Sequence, residues 1–123
     1  AADRPVKRPA ALLAGGETTV TVRGMGAGGR CQEFTLALAL EIAGLKKVTV
    51  FACGTDGSDG STDSAGAVAD GATLERAQAL GMQPQRFLDQ NDSYTFFHSL
   101  AQTLQTGPTR TNVTDLYCAL IGK

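Results

Sequence analysis

Two nearly continuous apolar stretches, residues 48–53 and 115–121, limit the folds available to this chain more than any other feature. Side chains alternate between the two faces of a strand, so an unbroken apolar run places apolar side chains on both faces. Such runs are typical of strands that are covered on both sides. The sequence therefore predicts a sheet strand at residues 48–53 that is buried on both faces, and another apolar strand at residues 115–121.

Apolar residues recur at helical spacing between and around these strands. They predict helices over residues 30–43, 72–80 and 93–104, with a short turn of helix over residues 84–88. Gly44 follows the first helix in the position where glycine commonly ends a helix. The chain is thus expected to alternate between strands and helices.

The first part of the chain predicts an edge strand. Residues 10–14 are apolar and residues 18–22 are rich in β-branched side chains, with two glycines between them. This pattern fits either a hairpin or one bent strand with a bulge. Residues 65–69 fit a short strand or an irregular segment. Strands alternating with helices predict an α/β fold, a single layered domain with a mixed or mostly parallel sheet flanked by helices.

Composition places the chain among globular domains. It has 123 residues, of which 42% are hydrophobic and 19% are charged, and its formal net charge is -1. A nearly neutral chain gives no electrostatic reason to expect nucleic acid or an anionic membrane as a partner. We expect no signal peptide, and no apolar run is long enough to span a membrane. Three separate cysteines without a CxxC or Cys/His pair suit a reducing cytoplasm rather than a disulfide framework or a zinc site.

A glycine-rich loop precedes the first predicted helix. Gly24, Gly26 and Gly29 have the GxGxxG spacing of dinucleotide sites, and backbone N–H groups at a helix start bind anions. Two features argue against a nicotinamide site at this loop. The preceding segment alternates Thr with Val, and Asp56 lies beyond the second strand. The alternative is a tight turn that binds no ligand.

Four side chains near these elements are candidates for chemistry or for ordinary structure. Arg30 opens the helix and could clamp a phosphate or carboxylate, or it could form a surface pair with Glu33. Cys31 lies at the same helix start, where a thiol pKa can fall, but no second group is present to activate it. His98 is the single histidine and is expected to be a half-exposed helix residue rather than a catalytic base.

The loop over residues 54–63 contains three aspartates, four hydroxyl side chains and three glycines directly after an apolar strand. Ligands of open α/β sheets bind beyond the carboxyl ends of strands. Hard oxygen ligands suit Mg²⁺ and hydroxyl-bearing substrates. A polar surface turn is the alternative, since the same residues are common turn formers. Residues 106–112 add hydroxyls, an amide and a guanidinium, although a turn that stops a helix would have the same composition.

These pieces together resemble the MOFRL domain, the C-terminal part of type 2 glycerate kinases. The resemblance covers the chain from about Leu12 to Ile121. Five ordered motifs carry it: Gly15-Gly16-Glu17-Thr18-Thr19-Val20, Gly28-Gly29-Arg30-x-Gln32-Glu33, Gly54-Thr55-Asp56-Gly57-x-Asp59-Gly60-x-Thr62-Asp63, Asn91-Asp92-Ser93-Tyr94, and Thr106-Gly107-Pro108-Thr109-x-Thr111-Asn112-Val113-x-Asp115-Leu116.

The resemblance implies an enzyme that transfers the γ-phosphoryl group of ATP to D-glycerate, giving 2-phosphoglycerate, with Mg²⁺ as cofactor. Residues 10–123 would be the C-terminal domain and residues 1–9 a linker or the edge of a fragment. An N-terminal Rossmann-like domain, absent here, would hold most of the ATP and Mg²⁺ contacts, and the isolated fragment would be inactive. Some members are named hydroxypyruvate reductase, so NAD(P)H-dependent reduction is one alternative. A non-catalytic small-molecule-binding or dimerisation module is the other.

Carried over by position, the resemblance implies Arg30 and Asp56 as catalytic residues and Asp56 and Asp59 as Mg²⁺ ligands. The implied substrate or phosphate contacts are Gly26, Gly28, Gly29, Glu33, Thr55, Gly57, Asp59, Thr62, Asp63, Thr109 and Asn112. Two residues near these positions differ from the family pattern. Cys31 replaces the usual Asn, and Arg110 replaces the usual Gly.

Overall fold

A computed structural model describes residues 4–123 and shows a five-stranded sheet backed by helices. The strands are β1 (Ala10–Gly16), β2 (Val48–Gly54), β3 (Gly66–Asp70), β4 (Thr103–Leu104) and β5 (Asp115–Ile121). The helices are α1 (Arg30–Glu41), α2 (Thr73–Ala79), α3 (Pro84–Asp89) and α4 (Ser93–Ser99). Across the sheet the strands lie in the order β1-β5-β2-β3-β4.

The predicted mixed or mostly parallel sheet is wrong, because every strand pair is antiparallel. The strand–helix–strand pattern did indicate the strand directions. β1 and β2 are each antiparallel to β5, so they run the same way, as strands joined by a helical crossover should. They are not neighbours, since β5 lies between them and pairs with both. A crossover fixes the relative direction of two strands, whereas their pairing depends on which strand enters the gap.

All four helices lie on one face of the sheet and enclose the hydrophobic core. Leu36 and Ala39 of α1 pack in one cluster with Val50 of β2, and this cluster also contains Phe96 and Phe97 of α4. Each of these side chains is at most 3% exposed, so water is excluded from the α1–sheet interface. The helix layer therefore holds the start of α1 firmly against one end of the sheet.

The opposite face of the sheet carries no helix in the part of the chain that the structure describes. In β2 the buried positions alternate with half-buried ones, among them Phe51 and Cys53. The expectation that residues 48–53 are buried on both faces is therefore wrong for this chain. The apolar pattern on the second face is nevertheless present, and it forms a surface rather than a second core.

Two local expectations also differ from the structure. The helix expected over residues 93–104 ends at Ser99, because Ala101 adopts a left-handed conformation (φ 56°) that no helix continues. The chain then forms β4, in which Thr103 pairs with Ala67. Residues 18–22 form no strand, so the first strand is neither a hairpin nor bent but the single edge strand β1.

The ends of the chain add little regular structure. Residues 4–9 are exposed and irregular, and residues 1–3 of the expected linker lie outside the described residues. Among residues 4–123 no helix has the length and apolar character that crossing a bilayer requires.

Candidate functional site

Three long loops meet at one end of the sheet, which we call the loop end. They are residues 17–29 after β1, residues 55–65 between β2 and β3, and residues 105–114 before β5. The strand register brings them together, because Gly16 and Gly54 both pair with Asp115, the first residue of β5. The α1 helix begins at the same end. The glycine-rich and aspartate-rich loops thus lie at the same end of the sheet.

Glycines hold the first two loops in direct contact. A Cβ atom on Gly29 would lie 2.4 Å from Cγ of Asp59, and one on Gly60 would lie 2.1 Å from the carbonyl oxygen of Gly28. Gly60 also has a φ of 61°, a conformation in which glycine alone avoids strain. No larger residue fits at either position without moving backbone. The start of α1 and the loop of residues 55–65 therefore pack tightly against each other.

The Asp59 carboxylate caps α1 from the neighbouring loop. Its Oδ1 accepts a hydrogen bond from the backbone N–H of Cys31 (3.0 Å), and its Oδ2 accepts one from the backbone N–H of Gln32 (2.8 Å). The Gln32 side-chain amide donates a further bond to Oδ2 (2.9 Å). Asp59 is only 4% exposed. The anion-binding start of this helix is therefore filled by a carboxylate of the chain itself.

Arg30 is held at the loop end by a second buried carboxylate. Its Nε donates to Oδ2 of Asp115 (2.5 Å) and its Nη2 donates to Oδ1 (3.1 Å), the two-point geometry that guanidinium groups favour. Nη2 also lies 3.0 Å from Oε1 of Glu17. The hydrogen bonds to Asp115 are the main reason that the pKa of Arg30 is raised, and the guanidinium stays positively charged.

One edge of the Arg30 guanidinium remains available. Its Nη1 makes no hydrogen bond or ion pair within residues 4–123, and the side chain is 40% exposed. The Asp115 side chain behind it is 1% exposed. Arg30 is thus oriented by a buried carboxylate on one side and presents two N–H donors on the other. This arrangement suits recognition of an oxyanion.

The loop of residues 105–114 packs against the loop of residues 55–65. The backbone N–H of Thr55 donates to the carbonyl oxygen of Thr114 (3.0 Å), and the hydroxyl of Thr109 donates to the carbonyl oxygen of Thr55. Gly57 lies so close to Gly107 that a Cβ atom would approach its carbonyl oxygen to 2.1 Å. The hydroxyl of Thr109 and the main chain of Thr55 therefore fix one loop to the other.

The remaining predicted contacts are partly engaged within the loops. Asn112 accepts a hydrogen bond from the backbone N–H of Thr114 (3.0 Å). Thr62 accepts a bond from the Gln32 amide and donates to the carbonyl oxygen of Asp59. The exposed carboxylate of Asp63 accepts the hydroxyl proton of Tyr94 (2.8 Å), which raises the pKa of that phenol. These bonds shape the loops, and several of these side chains face solvent as well.

Other parts of the chain pack directly against the glycines that have the GxGxxG spacing. A Cβ atom on Gly24 would lie 2.5 Å from the Gln90 backbone, and one on Gly26 would lie 2.3 Å from Cβ of Asp92. The Asn91 side chain accepts the backbone N–H of Gly24 (2.9 Å) and donates to Glu33 (2.8 Å). Close packing on the connection between α3 and α4 accounts for this spacing without a dinucleotide. Glu33 is hydrogen-bonded to the same connection through Asn91.

Two further catalytic candidates, Cys31 and His98, lie in surroundings that do not indicate a catalytic role. Cys31 is fully buried, and burial, together with the nearby Asp59 carboxylate, raises the pKa of its thiol. A thiol in that state does not supply a nucleophile. His98 is exposed on α4 and stacks on Tyr94, with ring centroids 5.4 Å apart.

The predicted magnesium ligands differ in what they can offer. Both oxygens of Asp59 are used at the helix start, so this residue does not fit a metal site in the structure. Asp56 is exposed, and only its Oδ1 is engaged, by the backbone N–H of Ser58 (2.9 Å). Within residues 4–123 no group of three or more His, Cys, Asp or Glu side chains is arranged to hold a metal ion. Of the two predicted ligands, only Asp56 keeps a free carboxylate oxygen for a largely hydrated ion.

Comparison with known families identifies the family of this chain. The model of the MOFRL family matches residues 10–115, most of the chain. The chain belongs to the MOFRL family.

Relatives of this MOFRL chain are named glycerate kinase or hydroxypyruvate reductase. A D-glycerate 2-kinase of Thermotoga maritima is 49% identical over 119 residues, which cover 97% of this chain and 28% of the relative. A glycerate kinase of Danio rerio is 47% identical over 89% of this chain and 23% of the relative. A putative hydroxypyruvate reductase of Agrobacterium vitis is 43% identical over 96% of this chain and 27% of the relative.

Solved structures confirm the fold. The crystal structure of a glycerate kinase from Thermotoga maritima superposes with a TM-score of 0.95 at 49% identity, covering 97% of this chain and 29% of that one. The structure of a Pyrococcus horikoshii protein gives a TM-score of 0.94 at 37% identity, covering 99% and 28%. The MOFRL chain therefore spans under a third of the length of these proteins.

Two acidic residues of the site were not predicted from the sequence. Asp115 and Glu17 lie within the motifs that carry the family resemblance, yet neither was assigned a role. Asp115 offered a usable signal, because a carboxylate that opens a solidly apolar strand must find a partner when the strand is buried. That partner is Arg30.

Proposed function

We propose that the full-length protein containing this chain is a glycerate kinase, which transfers the γ-phosphoryl group of ATP to D-glycerate and gives 2-phosphoglycerate. This MOFRL chain would supply one wall of the active site through its loop end. The proposal draws on relatives that bear the name glycerate kinase. In the structure, the observation that carries it is the Arg30 guanidinium, fixed by Asp115 with its Nη1 edge free.

Arg30 suits the charge that this reaction must handle. Phosphoryl transfer depends mostly on positioning and on offsetting negative charge, and both substrates are anions. A guanidinium that is already oriented loses little entropy when it binds an oxyanion, because Asp115 holds it before the ligand arrives. We propose that Nη1 of Arg30 binds the carboxylate of glycerate or a phosphate oxygen, and that the Asp56 carboxylate faces the same ligand.

ATP and Mg²⁺ would be held mainly by the part of the protein outside this chain. The magnesium ion would offset charge on the phosphates when it is bound. Of the two predicted ligands in this chain, Asp56 keeps a free carboxylate oxygen for the hydrated ion, whereas Asp59 stabilises the start of α1. We also propose that the enzyme works in the cytoplasm, where ATP is supplied.

The test is a coupled assay of the full-length protein with ATP and D-glycerate, comparing wild type with Arg30→Lys. Lysine retains a positive charge beside Asp115 but has no second nitrogen to present to the ligand. We expect kcat/KM to fall about 100-fold, the scale of losing one oriented donor at an oxyanion. Thermal unfolding should show that the variant remains folded.

Arg86→Lys is the matched control, because Arg86 is exposed on α3 and lies outside the three loops. Wild-type kcat/KM in Arg30→Lys would remove Arg30 from the site. If the protein instead reduces hydroxypyruvate with NADH and does not phosphorylate glycerate with ATP, the result would favour a hydroxypyruvate reductase.

A further inference from the structure

The sheet face opposite the helices is apolar except at Thr49 and Asp70, which lie opposite each other in the cross-strand row that contains Leu120. Cross-strand register places the side chains of β1, β5, β2 and β3 in rows on this face. We call the exposed and half-buried apolar part of this face the bare sheet face; it consists of Leu13, Phe51, Cys53, Val68, Leu116 and Leu120. Leu13 is 69% exposed and Leu120 is 45% exposed. The other four are half-buried, flanked by their neighbours in the sheet.

This composition does not suit a face that remains in water. Antiparallel sheets with one wet face usually alternate apolar with polar residues along each strand. In β5 the outward positions are Leu116, Cys118 and Leu120, and none is polar. Contiguous exposed apolar surface of this kind marks an interaction site. The strand sequences therefore provide for a second covering layer that residues 4–123 do not contain.

We propose that the bare sheet face packs against the part of the full-length protein that lies outside this chain. The relatives provide the length for such a layer, since this chain corresponds to only 28% of the Thermotoga maritima D-glycerate 2-kinase. The helix layer and the unassigned segment would then enclose the sheet between them. Central strands with apolar residues on both faces are what such a three-layer arrangement requires.

The position of the chain ends favours this occupant over a second copy. β1 starts and β5 ends at the same end of the sheet, where Ala10 pairs with Ile121, and the loop end lies at the other. Both strands have seven residues, a length of about 24 Å at 3.4 Å per residue. Additional chain joined at either end must extend along the sheet to reach Arg30, and the bare sheet face offers an uncovered path. This step rests on the proposed function, which places the reaction at the loop end.

Thiol labelling of the full-length protein tests the proposal. We compare Leu120→Cys, on the bare sheet face, with Gln78→Cys, on the exposed side of α2. Each protein is treated with a maleimide, and peptide mass spectrometry follows the modification at positions 120 and 78. We expect position 120 to react at least tenfold more slowly than position 78, because it is covered. Equal rates at the two positions would overturn the proposal.

Cross-linking identifies the occupant. A photo-cross-linking amino acid at position 120 is used in an equal mixture of isotopically light and heavy protein. Cross-links within one chain, to peptides outside residues 1–123, are the expected result. Cross-links between light and heavy chains would show that a second copy covers the face and would contradict the proposal. Glycerate kinase activity is measured on the same samples, so an active protein with fast labelling rejects this inference alone, and an inactive protein with slow labelling rejects the proposed function alone.

Discussion

Two buried carboxylates organise the loop end, and each uses its charge inside the chain. Asp59 stabilises the start of α1, and Asp115 orients Arg30. Both are almost inaccessible to water, so their negative charges depend on these partners. Arg30, which we propose faces the ligand, is therefore held in place by other residues, although all of them are polar and close together.

Replacing Asp59 with Ala should destabilise the chain by about 3 kcal/mol, because two backbone N–H groups and the Gln32 amide lose their acceptor in a buried place. Urea unfolding followed by circular dichroism measures this. Asp63→Ala is the control, since Asp63 is exposed and should change stability by less than about 0.5 kcal/mol. Equal effects would mean that Asp59 is not a structural cap.

Glu33 provides a pH-dependent test. Burial raises the pKa of this carboxyl, although the hydrogen bond from Asn91 opposes the shift. A raised pKa means that the folded chain binds the proton more tightly, so stability falls as pH rises through the folded pKa. Glu33→Gln removes the charge and can keep the Asn91 bond. We therefore expect it to raise the melting temperature at pH 7 and to match wild type below pH ~4, where both states are protonated.

Glu75→Gln in α2 is the control for Glu33, because Glu75 is exposed in the first turn of its helix, where a negative charge is favourable. It should give no gain in melting temperature at pH 7. A Glu33→Gln variant whose gain persists unchanged at low pH would contradict the role of the charge.

The sequence predicted part of this residue-level chemistry. Arg30 and the aspartates were found because charged and turn-forming residues are concentrated at the ends of apolar segments. Asp59 was expected to face a metal, and it faces α1 instead, because a composition pattern does not indicate which way a side chain points. The left-handed conformation of Arg110 (φ 62°) gives a physical reason why glycine is usual there.

At the scale of elements, contact between loops fixes the geometry more than the helices do. The loop of residues 55–65 touches the glycines before α1 on one side and the loop before β5 on the other. Helix bounds were predicted well for α1 and α3, since apolar periodicity is a local signal. The two-residue strand β4 was missed because so short an element has no periodicity of its own.

The loop contact itself can be tested with a pair of glycines. Gly60 and Gly81 both have positive φ values, 61° and 74°, so alanine at either position costs about 1 kcal/mol in backbone strain. At Gly81 nothing lies within 4 Å, whereas at Gly60 the new Cβ would collide with the carbonyl oxygen of Gly28. We expect Gly60→Ala to be less stable than Gly81→Ala by about 2 kcal/mol in chemical unfolding. Similar losses would argue against tight packing of the two loops.

For the whole molecule, strand pairing is the property that the sequence did not reveal. Strands β1, β2 and β5 were recognised from their own residues, whereas residues 65–69 were left open between a short strand and an irregular segment, and β4 was missed. The neighbour of each strand depends on contacts between distant parts of the chain. β1 and β5 are paired although about a hundred residues lie between them, with Ala10 opposite Ile121. A strand–helix–strand pattern is equally compatible with adjacent parallel strands and with a third strand between them.

Ending the chain after Thr114 should abolish folding. β5 is the partner of β1 and also of β2, so its removal detaches β1 and leaves β2 with β3 alone. We expect far-ultraviolet circular dichroism and amide dispersion in NMR spectra to show an unfolded chain. A truncation after Ile121, which removes two residues outside the sheet, is the control and should keep the native spectra.

The central place of β5 has a consequence for how the protein is made. Because the last strand in sequence joins the other two, the sheet cannot close until that strand has left the ribosome. Until then, β1 and β2 are synthesised with unpaired edges and apolar side chains, the state in which nascent chains aggregate or recruit chaperones. Translation speed through the codons of β5 would therefore influence how long these edges stay unpaired.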